Sequence, residues 1–160
     1  MRPVPTERHE DYIVTMYDLE EDVCRQMLSG SRFGRVAFDD ADGPVALPIN
    51  ALFAHDRVLF RTLPESLIDR AVRGGGRFAY EVDHADSVAE SGWSVLVRGP
   101  AGRVTDAAIL AAVADTDVHP WAPAARNLWI EIRAEQITGR VIRRHRLAPD
   151  PDPLPYMPPD

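Results

Sequence analysis

Residues 34–62 read GRVAFDDADGPVALPINALFAHDRVLFRT, three apolar runs cut by two turn signals. Val36 and Phe38 alternate with their neighbours over 34–38, the period of a strand with one buried face. The DDADG run at 39–43 is a turn, and 44–53 resumes the extended pattern. His55-Asp56 marks a second tight turn, and Val58, Leu59 and Phe60 begin a third strand that ends at Arg61 and Thr62. Links this short join antiparallel neighbours, so a three-strand meander is expected here.

Working outward, residues 18–30 carry Leu19, Val23, Met27 and Leu28 at helical spacing, with Asp18 as N-cap, Glu21 three residues later and Gly30 as stop. A second short helix is expected over 65–72, introduced by Pro64 and closed by glycines 74–76. Strands follow at 78–82 and 93–97, then a helix over 106–114 capped by Thr105. The stretch 116–125, with His119, Pro120 and Trp121, reads as an irregular loop; 128–132 is a sixth strand, and 137–142 extends the sheet. Many short strands, tight turns and small inserted helices predict an antiparallel barrel rather than a doubly wound sheet. Side chains fill so small a barrel, which places a binding site on its outside, at a seam between two copies.

The chain has 160 residues, 45% of them hydrophobic, enough for one core. A single domain over 1–147 is expected, followed by a proline- and aspartate-rich tail over 148–160 with too few apolar anchors to offset its ordering entropy. A net charge of -7 argues against nucleic acid or an anionic membrane as partner. No window approaches a membrane span and the N-terminal dozen residues hold no apolar stretch, so the expected compartment is the cytoplasm. All 18 basic residues are arginine, which excludes Schiff-base chemistry on lysine and the usual phosphate-binding P-loop. The lone Cys24 is a packing residue, and His9, His55, His84, His119 and His145 have no ligand-like companions, so no metal is expected.

Phe60 to Leu67 carries the most chemistry. A strand end delivers the Arg61 guanidinium and the Thr62 hydroxyl, and a helix start delivers the Ser66 hydroxyl. Arginine's fork of donors matches phosphate oxygens, and free N–H groups at a helix start attract an anion. No Ser-His-Asp arrangement with a glycine-flanked serine is present, and no residue is singled out as catalytic.

The ordered set Gly34-Arg35-Val36-Ala37-Phe38, Pro48-Ile49-Asn50, Phe60-Arg61-Thr62 with Ser66, 78–83 and 92–99 resembles the pyridoxamine 5'-phosphate oxidase-like family, in particular its nitroimidazole-resistance-related branch. The resemblance implies a mainly β chain folded as an FMN-binding split β-barrel, antiparallel and Greek-key-like, with a few short helices. It implies a homodimer acting as a flavin-dependent oxidoreductase on a small organic substrate. It further implies that Pro48, Ile49 and Asn50 flank the isoalloxazine ring, and that Phe60 leads the segment in which Arg61, Thr62 and Ser66 hold the phosphate. Trp93 and Ser94 of the partner subunit are expected to close the pocket. A flavin asks little of its protein beyond placement against the substrate and exclusion of water, which suits a chain without evident catalytic side chains.

Two positions depart from the family pattern. Glu65 and Leu67 stand where relatives commonly carry glycine and lysine, so a cation is lost and an acid gained beside the expected phosphate. A dimeric binding or regulatory module without tight cofactor affinity is therefore the alternative to an FMN enzyme. The deazaflavin F420 is a second alternative cofactor, ranked below FMN because its longer phosphate tail asks for more cations than Arg61 supplies. Deleting everything after Leu147 is expected to leave the melting temperature unchanged; a truncated chain that no longer folds contradicts the reading of that tail.

Overall fold

The computed structural model describes residues 3–8, 12–114, 116 and 127–146. Strands β1 (Pro3–Arg8) and β2 (Tyr12–Asp18) precede helix α1 (Glu21–Gly30). The meander follows as β3 (Phe33–Asp40), β4 (Gly43–Ala54) and β5 (Arg57–Thr62), then helix α2 (Leu67–Arg73). Next come the hairpin β6 (Arg77–Asp86) and β7 (Ser91–Arg103), helix α3 (Ala107–Ala114), and strands β8 (Leu128–Arg133) and β9 (Gln136–Arg146).

The strands lie in the order β1-β2-β9-β7-β6-β3-β4-β5-β8, and β8 returns to pair with β7. That last pairing closes β3 to β8 into an antiparallel barrel, while β9, β2 and β1 continue as an open wing from the other half of β7. The turns that build the meander are tight. Gly43 takes φ 121°, and His55 and Asp56 both adopt left-handed backbone, as a two-residue hairpin with strand-matching twist requires.

The barrel splits where β7 changes partners. Gly92 to Arg98 pair with β9, and Ala101 to Arg103 pair with β8. Between them Gly99 passes so close to the 133–135 turn that a Cβ would lie 1.7 Å from the Arg133 carbonyl oxygen. The Glu135 N–H donates to the Arg98 carbonyl at 3.1 Å, pinning the crossover.

Alternation along the strands fills the interior with Val36, Phe38, Val58, Phe60, Tyr80 and Val82, facing Val95, Val97, Ile130 and Ile132. Each such side chain contributes roughly 1.5–3 kcal/mol by leaving water. Helix α1 adds Cys24 and Leu28 to this core, and α2 adds Ile68 and Val72. Gly139 leaves the room that Cys24 fills, since a Cβ there would meet its Sγ at 2.6 Å. Helix α3 packs Ile109 and Val113 on the outside of the barrel, over Leu52 and Leu59.

Several sequence expectations need correction. Asp18 ends β2 opposite Arg140 and ion-pairs with it at 3.4 Å, so it does not cap α1; the helix starts at Glu21 and leaves Val23 exposed while burying Cys24. Helix α2 starts at Leu67 rather than Glu65, because Glu65 takes φ 60° and Ser66 becomes the cap. The cap of α3 is Asp106, whose carboxylate accepts the Ala108 N–H at 2.9 Å, and not Thr105. Strand β2 went unassigned although Tyr, Ile, Val and Thr favour strands; its registry with β9 supplies the order that the sequence pattern did not show. The expected tail over 148–160, His9 and all of the 116–125 loop except Thr116 lie outside the described residues.

Gly99→Ala tests the crossover directly. No side chain can yield, because the blocking atom is backbone, so a loss above about 3 kcal/mol or outright failure to fold is expected in thermal denaturation. A melting temperature equal to wild type would show that β7 does not turn on this contact.

Candidate functional site

Strand β5 sends its residues to two different places. Val58, Phe60 and Thr62 face the barrel interior and are 0–1% exposed, whereas Leu59 and Arg61 face outward. Arg61 stands opposite Trp129 of β8, with its guanidinium carbon 5.6 Å from the indole centroid, and Nη2 donates to Asn127 Oδ1 at 3.1 Å. Its Nε is buried and has no partner among the described residues.

On β4 the pairing of Ala51 with Phe60 fixes the faces. Pro48 and Asn50, an odd number of residues before Ala51, lie on the outer face with Arg61, and Ile49 turns inward against the core. The expected cofactor set therefore divides. Pro48, Asn50 and Arg61 share the outer surface; Ile49 packs on the interior, and Phe60 is a fully buried core residue.

Thr62 and Ser66 meet where β5 turns into α2, with their hydroxyl oxygens 2.9 Å apart. Ser66 Oγ also accepts the Asp69 N–H at 3.2 Å. Asp69 is 0% exposed: its carboxylate accepts the Glu65 N–H at 2.9 Å and a bidentate pair from Arg103 at 2.9 and 2.8 Å. Burial pushes the Asp69 carboxyl up, but the Glu65 N–H and the Arg103 guanidinium outweigh it and hold the group below its ordinary range.

Trp93 and Ser94 lie in the half of β7 that pairs with the wing. The Trp93 ring is 6.5 Å from that of His84, and both line a groove of about 380 Å³ with Met16, Glu81, Asp83 and Arg140. Ser94 and Arg140 also border an adjoining polar hollow of about 490 Å³. Arg35 binds Asp83 at 2.6 Å and reaches Glu81 at 3.5 Å. Burial first, and Asp83 second, push the Glu81 carboxyl up against the pull of Arg35. Within one chain β7 and β5 do not pair, with β8 between them on one side of the barrel and β6, β3 and β4 on the other, so the two halves of the expected site sit on strands that are not neighbours.

A profile of the pyridoxamine 5'-phosphate oxidase family matches residues 20–141. The chain belongs to that family. A protein of Mycobacterium tuberculosis without an assigned function is 34% identical over 126 residues, covering 76% of this chain and 82% of that protein. The FAD-binding protein from Mycobacterium smegmatis is 30% identical and superposes with a TM-score of 0.66, covering 79% of this chain and 97% of its own. An FAD-binding protein from Mesorhizobium loti, at 20% identity and a TM-score of 0.65 over 81% of this chain and 98% of its own, shares the fold. The barrel is thus the split barrel of this family.

Within that frame the two departures look different from their sequence reading. The Glu65 carboxylate is bound by Arg73 Nη2 at 2.6 Å, and Arg70 Nη1 donates to the Glu65 carbonyl at 2.6 Å. The charge of Glu65 is compensated locally, and arginines from α2 and β7 surround the turn. Leu67 packs against the core and supplies no cation. Sequence reasoning missed Asp69, Arg73, Arg103 and Trp129. A signal for Asp69 existed in Ser66-x-x-Asp69, the spacing of a reciprocal helix cap, but nothing local announces a partner 34 residues away.

Arg103→Leu would leave the buried Asp69 carboxylate without its bidentate partner. At neutral pH the expected cost is about 2 kcal/mol, below the range for fully enclosed pairs because Arg103 is partly solvated. A depressed carboxyl contributes stability above its unfolded value and loses it as pH falls through the folded one. The gap between wild type and variant should therefore close below about pH 4. Melting curves that stay equally separated from pH 7 to pH 2 would contradict the pairing.

Proposed function

We propose that this chain is a flavin-dependent oxidoreductase working as a homodimer on a small organic substrate. The observation that carries the proposal is Arg61: an outward guanidinium stacked on Trp129, with a buried Nε donor that no described residue satisfies. A phosphate is the kind of acceptor that an outward guanidinium fork matches. The residues fit a flavin nucleotide, with Arg61 and Ser66 at the phosphate and the buried Thr62 supporting Ser66 from behind, Pro48 and Asn50 along the ring, and the partner's Trp93 and Ser94 over it. When bound, the flavin would exchange a hydride with the substrate; the protein's part is to bind, orient and exclude water.

FMN is the first choice of cofactor and F420 the alternative. The M. smegmatis relative is described as binding FAD, which shares FMN's ribityl phosphate. A row of small outward residues, Ala46, Ala37 and Ala79 on adjacent strands β4, β3 and β6, with exposed Pro44 and Pro48 beside it, offers a flat face for a second copy. Sedimentation at micromolar concentration is expected to show a dimer, and a pure monomer contradicts it. A cytoplasmic setting is part of the same proposal: Cys24 is free and buried, as a reducing compartment allows, and no described helix is long and apolar enough to cross a membrane.

Titrating flavin by fluorescence quenching tests the site. Arg61→Ala should weaken FMN by about 1.5–3 kcal/mol, tenfold to a hundredfold in affinity. Equal affinities for wild type and variant would remove the phosphate from Arg61. Wild-type protein that binds neither FMN, FAD nor F420 would favour the alternative of a dimeric module that has lost its cofactor.

A further inference from the structure

The turn between β5 and α2 is held by more than a helix cap requires. Glu65 is a non-glycine residue at φ 60°, a conformation that persists only where its surroundings impose it. Three contacts impose it here. The Glu65 N–H donates to Asp69 Oδ2, the Glu65 carbonyl accepts from Arg70, and the Glu65 carboxylate is clamped by Arg73. Asp69 then closes the circuit, because its own N–H donates to Ser66 Oγ, the atom that shares a hydrogen with Thr62 Oγ1.

A seven-residue helix needs only the Ser66 oxygen to be capped. Burying a whole carboxylate beneath the turn, and answering it with an arginine from the end of β7, is not the cheapest way to stabilise such a helix, since an apolar pair of the same volume does as well or better. What the buried pair adds is geometry: both Asp69 oxygens are used, and Arg103 approaches in the planar two-point arrangement that fixes orientation.

We propose that Asp69, braced by Arg103, is the positioning residue that fixes the Ser66 hydroxyl, with the buried Thr62 behind it, for an anionic phosphate group. It acts through the turn and does not touch the ligand, so its loss should show in phosphate recognition before it shows in ring binding. Arg103 ends β7, the strand whose other half carries Trp93 and Ser94, so the same pair also ties the turn to the strand expected to close the partner's site.

This inference rests on the proposed phosphate site, and its test separates the two. FMN and riboflavin, which differ only in the phosphate, are titrated into wild type, Asp69→Asn and Arg103→Gln. Wild type should prefer FMN by at least about tenfold; Asp69→Asn should erase about tenfold of that preference while riboflavin affinity stays within about twofold. Arg103→Gln, at the partly exposed member of the pair, should erase about threefold. Variants that keep the wild-type ratio overturn the positioning role, and if Asp69→Asn does not fold, an unchanged ratio in Arg103→Gln overturns it alone. A wild type that binds FMN no better than riboflavin overturns the phosphate reading, and the positioning role with it.

Discussion

Strand β7 is shared between two structures that would otherwise be separate. Its first half carries the wing and its second half closes the barrel, and the change happens over Gly99, Pro100 and Ala101. Backbone against backbone leaves no freedom there: the Arg133 carbonyl occupies the place of a Gly99 side chain. Moving that contact would unpair either β8, which supports Arg61 through Trp129, or β9, which backs Trp93. Both halves of the candidate site hang from this one crossing.

The second constraint is charge without lysine. A chain that uses arginine alone gains rigid forks and loses compact ammonium groups, and the turn between β5 and α2 shows the consequence. Leu67 packs against the core and brings no charge to the turn, and Arg70, Arg73 and Arg103 satisfy Glu65 and Asp69 around it. The region is dense in guanidinium groups that are mostly committed to internal partners. Arg61, with one buried donor left over, differs from them in that respect.

The meander from β3 to β5 was legible because period-two alternation and turn residues agree along residues 34–62. The wing was not. The sequence shows only a run of strand-prone residues before Asp18, and pairing with β9, more than a hundred residues away, decides its state. Two caps failed as well: Asp18 and Thr105 are plausible by residue type, but Asp18 is held in β2 opposite Arg140, and the first turn of α3 is capped by Asp106. Of the expected cofactor residues, Arg61, Thr62 and Ser66 are singled out by their chemistry. Their division between outer face and barrel end follows from strand alternation, which also marks Phe60 and Ile49 as interior. Asp69 and Arg103 were not legible as a pair, because their contact exists only after β7 has crossed to β8.

The central claim is that the outer face of this split barrel, completed by a second copy, holds a flavin nucleotide. Size-exclusion chromatography of protein mixed with FMN, FAD or F420, monitored in the visible flavin band, tests it most directly. The account predicts that flavin absorbance elutes with protein at the dimer position. A colourless peak with each of the three cofactors, or flavin carried by a monomer, would contradict it.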